Sequence, residues 1–351
     1  MKFIKKAAAA IVAASLAFSL CSCSDLSWAA KIDDDTTIPI GMYIYSMASA
    51  YRTAVSNYQL NSYTELSKQT IEVSGSDKSA VEYLDNEAKK TIKSYVGAIL
   101  LAKDMNIDFT DEDLKTAASY AENFYETDKA TFEKVGVAKS SVEEYYKSTS
   151  LKSKLFEAKY GEDGTEAVAD KDLKNYFKEN YASINFIQQY FYNEDGTAMS
   201  EDQKDALKKE YKSIQSKAEK GKIKFTDVCK EYAKNATNYK GGYTDSLSRF
   251  DTESEDGQKI LSLQTGKFTL LVTDSAIALI QKATLDKDGS KFKENRSNLL
   301  YEYKYDDFLS ELIDLGENAK NVKYNESAFE KFSSATRDFS ELSISNSNSN
   351  Y

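Results

Sequence analysis

The chain has 351 residues, with 46 lysines and arginines, 56 aspartates and glutamates, no histidine and a formal net charge of −10. Such an acidic chain repels nucleic-acid phosphates, which argues against nucleic-acid binding. It contains one proline and 14 glycines, and this scarcity of helix breakers favours long helices over a sandwich of many short strands. The length predicts two domains, or one discontinuous domain.

The first 22 residues have the pattern of a secretory signal peptide. A basic start is followed by the apolar run 7–20, which is too short to span a bilayer as a stable helix. Leu20 then lies three positions before Cys23. This spacing resembles the bacterial lipobox, in which the cysteine is acylated; an ordinary cleaved signal is the alternative. Acylation would tether the chain to the extracytoplasmic face of the cell membrane, with the polar residues 24–37 as a spacer.

Helical periodicity dominates the next part of the chain. The first predicted helix, Gly41–Tyr58, is rich in alanine and tyrosine and carries little charge, so it must be buried along much of its surface. Residues 61–76 are polar and are expected to be irregular. Apolar repeats and capping residues predict further helices over 80–105, 110–129, 139–160, 168–181 and 291–315.

The segment 182–285 has a different pattern. The predicted order is a strand at 184–192, a long helix at 200–220 with a capping box formed by Ser200 and Gln203, a short helix beginning at Phe225, a Gly241-Gly242 turn and a closing strand within 268–283. Cys229, on the apolar face of the short helix, is expected to be a core residue, because no histidine is present to activate its thiol. The acidic turns at 193–196 and 286–289 lack EF-hand spacing, so they predict no calcium site.

Four pieces of this segment resemble sequences typical of the parvulin domain, a small α+β fold of one class of prolyl isomerases. They are the helix start Phe225–Cys229, the Gly241-Gly242 pair, the segment Leu263–Thr269 and the strand Val272–Ile280. The lipobox and the helix at 168–181 that leads into this segment extend the likeness. The chain thus resembles exported foldases of the SurA/PrsA type over nearly all of its mature length.

This resemblance implies an α+β, mostly α fold, in which N-terminal helices and a C-terminal helix form a chaperone domain and a parvulin-like domain is inserted between them. The implied boundaries are 1–22 for the signal peptide, 23–38 for the acylated anchor and linker, 39–181 for the N-terminal helical domain, 182–285 for the parvulin-like domain, 286–332 for the C-terminal helix and 333–351 for a disordered tail.

The family's activity is peptidyl-prolyl cis–trans isomerisation, but its polar catalytic positions are altered in this chain. The two histidines typical of the family fall near Gln189 and at Ala278, and its active-site cysteine or aspartate falls near Asn235. The implied activity is therefore expected to be weak or lost, and no residue is assigned as catalytic. The family's prolyl pocket corresponds to four apolar residues, each of which could equally be ordinary core: Phe225, Phe250, Leu261 and Phe268.

The implied partners are unfolded or folding exported polypeptides, and the lipid bilayer through acylated Cys23. No cofactor, metal or nucleic acid is expected, and a homodimer is compatible with the sequence. The 25 tyrosines allow an aromatic groove for clients, although packing in helix interfaces is the alternative for each ring. The rings concerned are Tyr43, Tyr45, Tyr51, Tyr58, Tyr301, Tyr303 and Tyr305.

Three other classes of protein are alternatives to this interpretation. A non-enzymatic surface scaffold, in which the parvulin-like fold only binds proteins, is the alternative function. A solute-binding lipoprotein would show many strand-to-helix turns, whereas only one strand-rich region is predicted. A carboxylate-pair hydrolase has no support, because no spacing singles out a pair among the 56 acidic residues.

Overall fold

The computed structural model describes residues 27–33, 36–62, 64–73 and 75–344. The predicted signal peptide 1–22 and the predicted lipidation site Cys23 lie outside these residues. None of the helices in the described part combines the length and the apolar character that a membrane span requires.

The strands are β1 (Trp28–Lys31), β2 (Thr37–Pro39), β3 (Thr70–Val73), β4 (Ser76–Ser79), β5 (Tyr181–Tyr190), β6 (Lys240–Arg249), β7 (Phe268–Val272), β8 (Ala276–Lys282) and β9 (Lys323–Tyr324). The α-helices are α1 (Ile40–Asn57), α2 (Ala80–Met105), α3 (Asp111–Thr127), α4 (Lys129–Val135), α5 (Lys139–Tyr160), α6 (Asp170–Asn180), α7 (Glu201–Glu219), α8 (Phe225–Lys234), α9 (Glu255–Ser262), α10 (Ser290–Glu317) and α11 (Glu326–Lys331). Helices predominate and the strands form three small antiparallel sheets, which confirms the predicted α+β, mostly α fold class.

The chain divides into two compact units. We call Met1–Ala167 with Lys304–Tyr351 the helical unit, and Val168–Tyr303 the sheet unit. The sheet unit extends beyond the predicted segment 182–285 on both sides, because α6 and the first part of α10 pack together. The rings of Phe177 and Phe292 lie 6.2 Å apart, and the Arg296 guanidinium donates to Asp170 at 2.9 Å.

Helix α1 lies at the centre of the helical unit and packs against α2 and α5. Its Tyr43, Tyr45 and Tyr51 are buried. The Tyr43 ring lies 4.7 Å from Phe329, and the Tyr51 ring lies 5.9 Å from Phe339. These three tyrosines are therefore core residues of the helical unit, and a client groove does not form there.

The part of α10 that belongs to the helical unit packs closely on α2 and α5. The Phe308 and Phe156 rings lie 5.5 Å apart, and the Lys159 ammonium donates to Glu311 at 2.6 Å. At the α2 contact, a methyl group at Gly97 would collide with the carbonyl of Leu312 and lie 3.0 Å from its Cα. Glycine is therefore required where the two backbones meet, since interhelical spacing depends on the side chains at the contact.

Residues 333–344 pack on the helical unit, although the low-complexity pattern places them in a disordered tail. The backbone N–H of Ser334 donates to Asp85 at 2.8 Å, and Phe339 and Leu342 are buried. Farther along, the backbone N–H of Ser343 donates to Asp128 at 2.7 Å. Burial of the two apolar side chains contributes about 2 kcal/mol each to holding this segment, in addition to the hydrogen bonds to Asp85 and Asp128.

Two stretches predicted to be irregular contain short strands. The predicted spacer 24–37 includes β1, which pairs with both β2 and β9, and the predicted connection 61–76 includes β3 and the start of β4, which pair with each other. Strands of three or four residues contain too few alternations to be recognised by their periodicity.

We predict that the stability of the protein is nearly constant from pH 5 to 7 and falls between pH 4 and 2. A hydrogen bond from Lys103 lowers the pKa of Asp33 to about 2, and hydrogen bonds from Ser340 lower that of Asp338 to about 2. A carboxylate with a lowered pKa stabilises the fold above its unfolded pKa near 3.9, and this contribution disappears as pH falls through the folded value. Each carboxylate is largely exposed, so solvent screening keeps its contribution below about 1 kcal/mol.

Urea denaturation at a series of pH values would measure this dependence. The flat region follows from the absence of histidine, because histidine is the side chain that ordinarily titrates between pH 5 and 8. A change of more than about 1 kcal/mol in the free energy of unfolding between pH 5 and 7 would contradict the prediction.

Candidate functional site

The sheet unit is built around a four-stranded antiparallel sheet with the strand order β6-β5-β8-β7. Two sequence predictions need correction here. The predicted closing strand 268–283 is a hairpin of β7 and β8, with the turn at 273–275. The predicted Gly241-Gly242 turn lies inside β6, which pairs along its length with β5.

Helices α7 and α8 cover one face of this sheet and bury an apolar cluster against it. The cluster consists of Ile187, Phe191, Leu207, Tyr211, Phe225, Cys229, Tyr232, Ile277 and Leu279. Burial raises the pKa of the Cys229 thiol to about 12, so the thiolate does not form at neutral pH. The predicted core role of Cys229 is confirmed.

Gly242 lies on this helix-covered face and allows α8 to approach β6. A methyl group at Gly242 would lie 2.7 Å from the Cβ of Tyr232 and would collide with the carbonyl oxygen of Cys229. Gly242 therefore marks a close contact between a helix and a strand, and such close approaches are one reason for glycine inside a strand.

The opposite face of the sheet is only partly covered. Helix α9 packs at one end of it, where Ala182, Ile184, Ile260 and Ile280 form a small buried cluster. Next to this cluster, alternate residues of the strands lie on its side of the sheet, because successive side chains in a strand alternate between faces; Phe186, Leu271 and Ala278 are half-buried against the cluster. We call this set the open face; it consists of Phe186, Gln188, Tyr190, Tyr243, Leu271 and Ala278.

Aromatic rings border the open face and a side-chain amide lies at its centre. The rings of Phe186 and Tyr243 stack at 4.6 Å with an interplanar angle of 19°, and Tyr243 is 48% exposed. Gln188 lies directly opposite Ala278 on β8 and Gly241 on β6. Neither neighbour presents a side chain longer than a methyl group, and the ring of Tyr243 lies over Gly241.

The register places the predicted catalytic positions on different parts of the sheet unit. Ala278 lies on the open face, and its cross-strand partner is Gln188 rather than Gln189, which pairs with Ile277. A shift of one residue in a strand reverses the face, so Gln189 belongs to the helix-covered side. Asn235 is the exposed residue at which α8 ends.

The four apolar residues predicted for a prolyl pocket do not come together. Phe225 and Phe268 contact each other on the helix-covered face, with their rings 5.1 Å apart. Phe250 and Leu261 are half-buried beside the open face. Apolar identity alone does not reveal the side of a sheet on which a residue lies, so the sequence does not separate the residues of the two clusters.

Sequence reasoning missed Phe186, Gln188, Tyr190 and Tyr243. The alternation of β5, in which Ala182, Ile184, Phe186 and Gln188 share one face, was visible in the sequence. Tyr243 was missed for a different reason: the glycine pair before it was interpreted as a turn.

The side chains of the open face are suited to binding. Its six side chains are aromatic, aliphatic or, in Gln188, an amide that can both donate and accept hydrogen bonds. Lys282 on β8 lies beside the face, but its ammonium donates to the carbonyl of Leu261, and desolvation lowers its pKa. Apart from the hydroxyls of Tyr190 and Tyr243, none of the six side chains is ionisable.

A serine–lysine contact elsewhere in the sheet unit is structural. The Lys291 ammonium donates to the Ser183 hydroxyl and to the Asp245 carboxylate, at 2.7 Å in both cases. Ser183 is fully buried, so its hydroxyl is inaccessible to a substrate. Asp245 has a positive φ of 54°, at an irregularity in the pairing of β5 with β6, and these hydrogen bonds hold it there.

The comparisons with known proteins identify similar solved structures. No protein-family model matches the sequence, and no curated protein does. Foldase protein PrsA from Lactococcus lactis is similar to this chain, with 15% sequence identity, a TM-score of 0.36 and coverage of 88% of this chain and 99% of the foldase. PrsA from Streptococcus pneumoniae gives 14% identity, a TM-score of 0.36 and coverage of 76% and 98%. PrsA from Bacillus subtilis gives 18% identity, a TM-score of 0.27 and coverage of 72% and 92%.

Proposed function

We propose that this chain is a lipid-anchored extracytoplasmic chaperone that binds exported polypeptides while they fold, and that its prolyl isomerase activity is weak or absent. The open face carries this proposal, because it offers stacked rings and one amide to an extended chain. The lipobox-like sequence at Cys23 supports the anchoring and the location outside the cytoplasm.

Binding without catalysis follows from the chemistry of the open face. Rotation about a prolyl peptide bond is slow because the bond has partial double-bond character, with a barrier of about 18–20 kcal/mol. An enzyme lowers this barrier only if it binds the twisted amide more strongly than the planar one. Apolar rings contact both forms alike, so we expect the face to bind proline-containing segments with little acceleration.

We predict that a protein of residues 24–351 changes the rate of prolyl isomerisation by less than about twofold from that of the spontaneous reaction, which takes tens to hundreds of seconds. We also predict that it suppresses the aggregation of a chemically denatured client. A protease-coupled peptide assay with varied residues before proline measures the first property. Light scattering during refolding of the client measures the second.

Two variants would connect aggregation suppression to the open face. Tyr243→Ser removes an exposed ring from it and is expected to weaken suppression. Val272→Ser is the matched control and is expected to have no effect. Val272 is 47% exposed, but it pairs with Ile277 and therefore belongs to the helix-covered side of the sheet. Acceleration of isomerisation by more than about tenfold would show an enzyme instead. Failure to suppress aggregation would leave the surface-scaffold alternative.

A further inference from the structure

A lysine-rich surface lies on the outer side of α7 and on the connection from α7 to α8. Residues 206–224 contain seven lysines, two glutamates and no arginine or aspartate, which is a charge of +5, so the rest of this acidic chain carries −15. Six of the seven lysines are exposed. We call these six the basic surface; they are Lys209, Lys212, Lys217, Lys220, Lys222 and Lys224.

The charge of the basic surface is not neutralised by other residues that the structure describes. None of the six lysines forms an ion pair with them, whereas the seventh lysine of the segment, Lys208, pairs with Asp205 at 3.2 Å. The two glutamates, Glu210 and Glu219, accept hydrogen bonds from uncharged side chains at 3.2 and 2.9 Å. Like charges so close together repel one another, so an anionic partner would stabilise this surface.

The basic surface lies on the side of the sheet unit opposite the open face. Helix α7 turns Leu207 and Tyr211 toward the sheet, where both are buried. Consecutive residues of a helix are about 100° apart, which places the exposed Lys209 and Lys212 on the side of α7 away from the sheet. The other four lysines follow along the last turns of α7 and the connection after it. A partner bound to this surface therefore leaves the open face free.

The residue type favours a broad anionic surface over a single anionic ligand. The planar guanidinium of arginine binds one phosphate or carboxylate through paired hydrogen bonds, whereas the lysine ammonium is a compact charge on a flexible stem. The surface contains lysine alone. Clusters of four to eight basic residues attract anionic lipids, and each residue near the headgroups increases binding about fivefold. The proposed acylation of Cys23 would keep the chain beside a bilayer.

We propose that the basic surface docks on an anionic lipid bilayer and thereby turns the open face toward the aqueous phase. The proposed membrane anchoring supplies the bilayer, and docking adds an orientation of the binding face to it. The Debye length is about 8 Å at physiological salt. The lysines therefore attract the headgroups that they touch, while acidic side chains farther from the bilayer are screened.

Co-sedimentation of residues 24–351 with lipid vesicles measures this docking without the anchor. The protein should bind vesicles made from equal parts of phosphatidylglycerol and phosphatidylcholine at least about tenfold more strongly than vesicles of phosphatidylcholine alone, although the net charge of the protein is negative. Binding should be lost at about 1 M salt, where the Debye length is about 3 Å.

Two quadruple variants with the same net charge assign the docking to the basic surface. The first should reduce binding to the anionic vesicles by more than about tenfold; it combines Lys212→Gln, Lys217→Gln, Lys220→Gln and Lys222→Gln. The control removes four exposed lysines of the helical unit and should change binding by less than about twofold; it combines Lys78→Gln, Lys115→Gln, Lys320→Gln and Lys323→Gln. Thermal unfolding would verify that both variants are folded.

Fluorescent labels on introduced thiols report the orientation of the sheet unit. Ser213→Cys places a label on the exposed outer side of α7, and Tyr243→Cys places one on the open face. The native Cys229 is buried, so its thiol does not compete for the label. A quencher attached to the lipid headgroups should reduce the fluorescence of the label at position 213 and leave that at position 243 unchanged.

Each result that contradicts the proposal is distinct from a failure of the chaperone function. Equal binding to both kinds of vesicle, unchanged binding by the first quadruple variant, or equal quenching at positions 213 and 243 would overturn it. If soluble polyglutamate binds the protein and vesicles do not, an acidic polypeptide occupies the basic surface and the proposal is wrong. Aggregation suppression is measured without vesicles, so the chaperone function stands or fails separately.

Discussion

Replacing Gly242 by alanine is expected to destabilise the sheet unit by about 3 kcal/mol, at the upper end of the usual cost of overpacking. The added methyl group would lie 2.7 Å from the Cβ of Tyr232 and collide with the carbonyl oxygen of Cys229. Both groups belong to α8, so the helix would have to move away from β6 as a whole. Backbone cannot rotate out of the way as the end of a flexible side chain can, which is why the expected cost is large.

The neighbouring glycine provides the control. A methyl group at Gly241 would lie 3.3 Å from the ring of Tyr243, a side chain that is half exposed and can shift by a few tenths of an ångström. Gly241→Ala is therefore expected to change the free energy of unfolding by less than about 1 kcal/mol. Urea denaturation of both variants measures the difference, and similar stabilities would show that α8 does not approach β6 as described.

Replacing Gly97 by alanine is expected to destabilise the helical unit by about 2 kcal/mol. Helix propensity alone would stabilise α2 by about 1 kcal/mol, because alanine is the better helix former. The methyl group would, however, collide with the carbonyl of Leu312 and lie 3.0 Å from its Cα, and such overpacking costs about 3 kcal/mol. The sign of the measured change therefore decides whether packing or propensity is the larger effect.

Asn86→Ala is the control for this prediction. Asn86 is exposed on the same helix, so its replacement tests propensity without a change in packing. We expect it to stabilise the protein by a few tenths of a kcal/mol. If thermal and urea unfolding show Gly97→Ala to be stabilising as well, the close contact between α2 and α10 would be disproved.

The long helices were the most predictable part of the fold. The predicted boundaries 80–105 and 139–160 agree with α2 and α5, and the capping box predicted at Ser200 is present at the start of α7. Apolar repeats and caps act within a few residues of each other along the chain. The information that determines these helices is therefore local, and a single sequence displays it.

The candidate site was less predictable because it depends on which strands pair. The sequence placed the two positions at Ala278 and near Gln189, and only the strand pairing, which sets Gln188 opposite Ala278, shows which side chain shares its face. Likewise, Gly241-Gly242 has a composition typical of a turn, and only the approach of α8 shows that the pair belongs to a strand. Both the strand pairing and the approach of α8 to β6 depend on contacts between residues that are far apart in sequence.

The aromatic side chains show the same difference between what the local sequence indicates and what the tertiary structure decides. The tyrosine-rich composition and the low charge of the first helix indicated that this helix is buried, and Tyr43, Tyr45 and Tyr51 are core residues. Which rings remain exposed was decided by tertiary structure: Tyr120 and Phe124 lie at the edge of the contact between α3 and α5. A sequence specifies how apolar a face is, whereas its exposure depends on the elements that the rest of the chain packs against it.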